Sequence, residues 1–247
     1  MARGSLLRST ALTGLALAYP ATAAFAAPPV PYTWTGYYTG LDAGYAWGNT
    51  ATNCTFIPGI ASPCEGTAIP NVKPQGGAFG VEIGADWQHQ NWVFGLGGDV
   101  SALGLRDTAQ FPSVDAGKTD EISSRYDWLG TARGRIGYAV GPSLFYGTGG
   151  LAIGRVRDVY NHDIAGSGAT NIFAADTLTG WTAGAGWQYM FSDHWSLKLE
   201  YLHVDLGRNA LDISGATNGG YGAAPGSSVL HFNNTFDLVR AGVSYKW

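Results

Sequence analysis

Ten ionisable residues recur on one parity of alternating segments: Asp42, Glu82, Asp86, Asp99 and Glu200 against Arg133, Arg135, Lys198, Arg240 and Lys246. Such a set can do one of two things. Left unpaired, Arg133 and Arg135, two residues apart on one strand face, would draw anions into a narrow pore. Paired with acids such as Glu82, Asp86 and Asp99, they would cross-link an interior in which a lone charge is costly. Equal numbers of acids and bases favour the cross-linked reading.

The other chemistry-bearing residues form no recognisable site. His89, His162, His194, His203 and His231 show no HxH or HxxxH spacing, so metal or haem ligation would fall to His162 or His231, both read as loop residues. His203, close to Asp205, is the one pair a lipid-modifying hydrolase or acyltransferase could use, but no serine in a nucleophile motif accompanies it. Neither catalysis nor a cofactor is expected. Cys54 and Cys64 stand ten apart in a Pro-, Gly-, Ser- and Thr-rich stretch. In an exported chain they are expected to close a disulfide, adding about 2.7 kcal/mol in the chain-entropy model.

The ends of the chain support export. Arg3 and Arg8, the apolar run Ala11 to Ala18 and the small residues Ala24 and Ala26 around Phe25 read as a cleavable signal peptide over 1–26. No later run approaches the ~20 apolar residues of a membrane-spanning helix, so membrane residence would be through strands. Without residues 1–26 the chain keeps 12 of its 14 Lys and Arg against 18 Asp and Glu, so net charge moves from -4 to -6, and nucleic-acid binding is not expected. Only 13% of residues are charged, about half of the ~25% usual in soluble domains, whereas 37 are Gly and 32 are Trp, Tyr or Phe.

Period-2 alternation predicts eight strands near 37–48, 77–88, 92–101, 125–138, 144–156, 177–189, 195–206 and 235–247. Their connections alternate between short (89–91, 139–143, 190–194) and long (49–76, 102–124, 157–176, 207–234). The fold class expected is all-β, an eight-stranded antiparallel up-and-down transmembrane β-barrel over 37–247, preceded by a short periplasmic segment, 27–36. Parity places Leu41, Tyr45, Trp47, Val81, Ile83, Trp87, Phe94, Leu96, Ile136, Trp187, Leu197, Leu199 and Val243 on the outside, with aromatics gathered at strand ends. Strand 144–156 mixes apolar residues on both parities, and a bulge or register shift is expected there. A lipocalin-like soluble barrel, with the apolar parity turned inward around a ligand, is the competing architecture. The glycines Gly40, Gly84, Gly95, Gly97, Gly184 and Gly186 on the charged parity suit a crowded interior better than a solvated exterior.

Several segments resemble one family. Trp34-Thr35-Gly36-Tyr37-Tyr38, Asn91-Trp92-Val93-Phe94-Gly95, the run Asp127 to Tyr138, Gly180 to Gly186, His194 to Tyr201 and the ending Val239 to Trp247 are similar to small outer-membrane β-barrel proteins of alpha-proteobacteria. The resemblance spans 34–247 and departs in the four long connections and in the terminal Trp, where Phe is commoner. It implies a location in the outer membrane, contact with its lipid and lipopolysaccharide, a part in envelope integrity, surface antigenicity and, in some relatives, haemin binding. It also implies that Tyr245 and Trp247 are read by the barrel-assembly machinery, although interfacial anchoring would occupy the same rings. A narrow diffusion channel is the alternative function.

Overall fold

The computed structural model describes residues 32–58, 62, 68–113, 117–164, 168–214 and 225–247. The expected signal peptide, 1–26, and Cys64 lie outside the described residues. Among the described residues nine strands form: β1 (Gly36–Gly48), β2 (Ala51–Phe56), β3 (Gln75–His89), β4 (Trp92–Pro112), β5 (Thr119–Val140), β6 (Ser143–Ile164), β7 (Gly168–Met190), β8 (Trp195–Asp212) and β9 (Ser228–Lys246). All pairings are antiparallel, and β9 closes on β1 from Tyr38↔Lys246 to Gly48↔Phe236. β2 adds no ninth stave. Among the described residues it pairs with β9 alone, from Ala51↔Asn233 to Phe56↔Ser228, and so prolongs the row β1 begins, after a step at which Thr50 bridges Val72. The ring therefore has eight staves, the first made of two pieces.

Three connections are tight: Gln90-Asn91, Gly141-Pro142 and 191–194. Gln90 (φ 55°) and Gly141 (φ 57°) take the left-handed conformation that short hairpin turns favour. At the opposite end the strands run far beyond their expected limits. β4 to β7 have 21, 22, 22 and 23 residues, about twice the 9–11 needed to cross a bilayer. Most of 102–124 and 157–176, read as loop, is strand, as are the flanks of 207–234 and part of 49–76.

The reason is an inversion of the alternation. Near the tight turns the outward residues are apolar: Leu41, Ile83, Leu96, Ile136, Leu151, Trp187 and Leu199 are exposed. Farther along the same strands the outward residues turn polar and the inward ones apolar. On β9, Val239 and Val243 face out with Arg240 and Ser244 inside, whereas above them Phe232, Phe236 and Leu238 are buried with His231, Asn233 and Asp237 outside. On β6 the outward series runs Leu151, Ile153, Arg155, Arg157. The lower barrel thus has the pattern of a strand in lipid and the upper barrel that of a strand in water.

β6 pairs with β7 without interruption from Ser143↔Tyr189 to Ile164↔Gly168, so the bulge expected within 144–156 is not there. Its mixed parity arises because Leu144, Tyr146 and Ala152 fill the lumen while Phe145, Leu151 and Ile153 face out. The neighbouring register shift belongs to β5, where Asp127 is the extra residue between Tyr126 and Trp128. Two more shifts, at Ala102/Leu105 and Asp205/Arg208, fall at the same level.

Candidate functional site

The inward charges meet in one layer. Arg240 is buried to 1% exposure between three carboxylates: its Nη2 lies 2.6 Å from Glu200 Oε2, and its Nη1 lies 3.0 Å from Asp99 Oδ1 and 3.3 Å from Asp42 Oδ1. Arg133 bridges Asp99 (2.9 Å) and Glu200 (3.1 Å), and its Nε donates to Thr131 Oγ1 at 2.9 Å. Lys198 pairs with Glu82 and stands 3.7 Å from Asp42. Ser244 donates to the other oxygen of Glu82 at 2.8 Å.

Arg135 is held from every side. It forms a two-point pair with Asp86, donates to Gln188 Oε1 at 3.1 Å, and lies 4.6 Å from the ring centroid of Tyr38 and 5.3 Å from that of Tyr146. Cation–π contact and two-point ion pairing together leave no guanidinium edge for a passing anion. Such crowding demands small neighbours. A Cβ on Gly95 would collide with Asp86 Oδ1 and come within 2.8 Å of Arg135 Cγ.

Nine of the ten expected charges belong to this layer, and Arg133 and Arg135 take Asp99 and Asp86 but not Glu82. Lys246 does not belong. It shares the inward parity of Arg240 but stands at the turn-side mouth, where its Nζ donates to the Thr33 carbonyl. The tyrosines were missed although both fall on inward parities. Tyr146 also donates to Glu200 Oε1 at 2.9 Å.

Apolar plugs lie on both sides of the charges. Below, Trp34, Val93, Ala139, Leu144, Tyr146 and Met190 form a floor, with the Trp34 amide donating to Gln88 Oε1 at 2.8 Å. Above, Leu105, Tyr126, Leu129, Val156, Leu206, Phe236 and Leu238 fill the section. Higher still, Val72, Phe111, Ile122, Tyr160, Leu230 and Phe232 form another cluster, against which Cys54 packs. Within the charge layer a cavity of about 20 Å³, lined by residues including Tyr38, Glu82, Arg133, Arg135 and Glu200, has room for about one water.

His162, His231 and the partner of His203 differ from expectation. His162 is a buried strand residue, its Nδ1 2.8 Å from Asp120 Oδ1 and its ring stacked on Tyr160. His231 is also on a strand, with Nε2 3.2 Å from Thr55 Oγ1. His203 faces outward and pairs with Asp237 at 2.8 Å instead of Asp205. Tyr245 packs its ring on His194, Trp195 and Trp247, and Trp247, beyond the last strand, is 74% exposed.

A family model of the outer membrane protein β-barrel domain matches residues 12–236. The chain belongs to the outer-membrane β-barrel protein family. It is 34% identical over 224 residues to a 31 kDa outer-membrane immunogenic protein of Brucella melitensis, covering 90% of this chain and 87% of that one. A 25 kDa outer-membrane immunogenic protein of Brucella abortus is 26% identical over 98% of this chain and 99% of its own. A 22 kDa outer membrane protein of Rhizobium leguminosarum bv. viciae is 32% identical over 58% of this chain and 60% of its own. Among solved structures, OprG of Pseudomonas aeruginosa has TM-score 0.51 at 11% identity, covering 87% of this chain and 98% of that one. The outer membrane protease OmpT of Escherichia coli has TM-score 0.50 at 10% identity, covering 88% and 99%. At these identities the likeness is one of fold alone. The family places the barrel in the outer membrane, so the apolar exterior faces lipid, and the lipocalin-like alternative, whose apolar parity would point inward, is set aside.

Proposed function

We propose that this outer-membrane barrel, after loss of residues 1–26, is a closed scaffold that neither conducts nor catalyses, and whose raised rim is its working surface. One observation carries the reading: the lumen is filled, by an apolar floor, a cross-linked charge layer and two apolar sections above it. A continuous water path would have to cross the plugs as well as the ion pairs. The Brucella relatives are named immunogenic, which supports exposure of the rim at the cell surface. Trp247 and Tyr245 present an open aromatic end that the assembly machinery could read, and the resemblance noted above supports that role.

The test is single-channel conductance of the refolded chain in planar bilayers, after heat-modifiable gel mobility has established a formed barrel. A silent membrane is expected. Discrete, reproducible steps would overturn the reading in favour of the diffusion channel.

A further inference from the structure

Immediately above the apolar exterior, the register of β4, β5 and β6 sets arginines side by side. Arg106 pairs with Arg125, and Arg125 with Arg157, as direct cross-strand partners on the outer face. With strands ~4.8 Å apart, the row spans about 10 Å. Arg155 lies two residues below Arg157, as the cross-strand partner of Trp128. Like charges directly opposite one another destabilise a sheet unless something compensates them.

One acid is supplied locally. The bulge residue Asp127 places Oδ1 2.9 Å from Arg125 Nε and Oδ2 2.8 Å from Arg157 Nε. This fixes both guanidinium groups by their Nε edges, and both side chains remain more than half exposed. Arg106 and Arg155, both exposed, make no ion pair among the described residues. Four cations against one acid leave a net charge of about +3 on this patch. The other side of the barrel at this height carries Asp205 and Asp237 against Arg208, with His203 beside them, a net charge of about -1. Among the described residues the cationic excess therefore lies on β4–β6, and it stands where acyl chains end and headgroups begin.

We infer that Arg106, Arg125, Arg155 and Arg157 form a binding site for the phosphate groups of an outer-leaflet glycolipid. The chemistry fits at each point. Phosphate accepts from guanidinium forks by two-point contact, a phosphorylated lipid anchored by its acyl chains brings its anion to this depth, and the exposed apolar faces of β4 and β6 lie directly below to receive the chains. The longer-strand end is the outer end in barrels of this class, which puts the site on the outer leaflet.

The test is binding of purified bisphosphorylated lipid A, and of the same lipid dephosphorylated, to the refolded full chain in detergent, followed by native mass spectrometry. The phosphorylated lipid is expected to bind at least tenfold more tightly, with the preference falling as salt rises. R106Q/R155Q, which breaks no ion pair among the described residues, should weaken binding by about 25-fold, at roughly fivefold per arginine. R208Q, on the opposite side, should bind like the unaltered chain, and heat-modifiable mobility should be the same in all three proteins. Equal affinity for the two lipids, unchanged binding by R106Q/R155Q, or an equal loss in R208Q would each overturn the inference.

Discussion

Arg240 gives the sharpest test of the charge layer. Methionine at this position keeps the unbranched stem and much of the volume of the side chain but removes the cation that Glu200, Asp99 and Asp42 share. Glu200 and Asp99 would still have Arg133, whereas Asp42 would keep only Lys198 at 3.7 Å. Deleting one member of a buried ionic set typically costs about 3–5 kcal/mol, because the partners stay buried without it. R240M should lose that much in urea-induced unfolding of the refolded barrel in lipid vesicles, read by linear extrapolation. The double variant R240M/E200Q should lose less than the sum of its single variants, because one substitution relieves the charge that the other strands. A loss under about 1 kcal/mol, the value of an exposed pair, or simple additivity of the two substitutions, would refute a cross-linked lumen closed to bulk water.

Three further outcomes are expected. Ile83, 68% exposed in the middle of the outer apolar face of β3, should cost about 2–4 kcal/mol as I83K when the barrel is unfolded from a bilayer, and urea titration in vesicles measures it. Asp158, in the part of β6 above the lipid, has its carboxyl pushed above the ordinary range by burial, against hydrogen bonds from Ser124 and Asn209. The folded state therefore holds that proton more tightly than the unfolded chain, so this group's contribution is greatest below the unfolded value of about 3.9 and is lost as pH rises through the folded value. D158N should remove that slope, seen as a stability difference from the unaltered chain that changes with acidification. Cys54 and Cys64, proposed to pair, should resist maleimide labelling until reduced, and C54S/C64S should lose up to about 2.7 kcal/mol; prompt labelling of the unreduced chain would exclude the bond.

What was legible in the sequence depended on which solvent each segment faces. In the lower barrel, outward Leu, Ile and Trp alternating with Gly and charge identified the staves and their faces, because a strand with lipid on one side and a crowded lumen on the other carries both signals at once. Above Ile153 on β6 and above Val239 on β9 the apolar parity changes sides, and a search for apolar-outward alternation stops there although the strand does not. In the sequence the ends of β4 to β7 therefore look like loop. Charges were legible as a set because they share a parity, but their partners were not: Arg135 meets Asp86 through ring register, and Tyr38 and Tyr146 close on it from β1 and β6. Trp34 precedes the first stave, and nothing in its neighbours' alternation marks it as the floor of the lumen.

The inversion of faces also bears on how the molecule responds to temperature. In the upper barrel, Phe111, Ile122, Leu230 and Phe232 are buried away from water, so their contribution carries the positive heat capacity of apolar hydration and weakens on cooling. The lower barrel shows its outward apolar side chains to hydrocarbon whether or not its neighbours are in place, and apart from the small floor around Trp34 its cohesion comes from backbone pairing and ion pairs. Cooling should therefore loosen the rim before the membrane ring, so that amide exchange near the strand tips quickens relative to the lower staves as temperature falls.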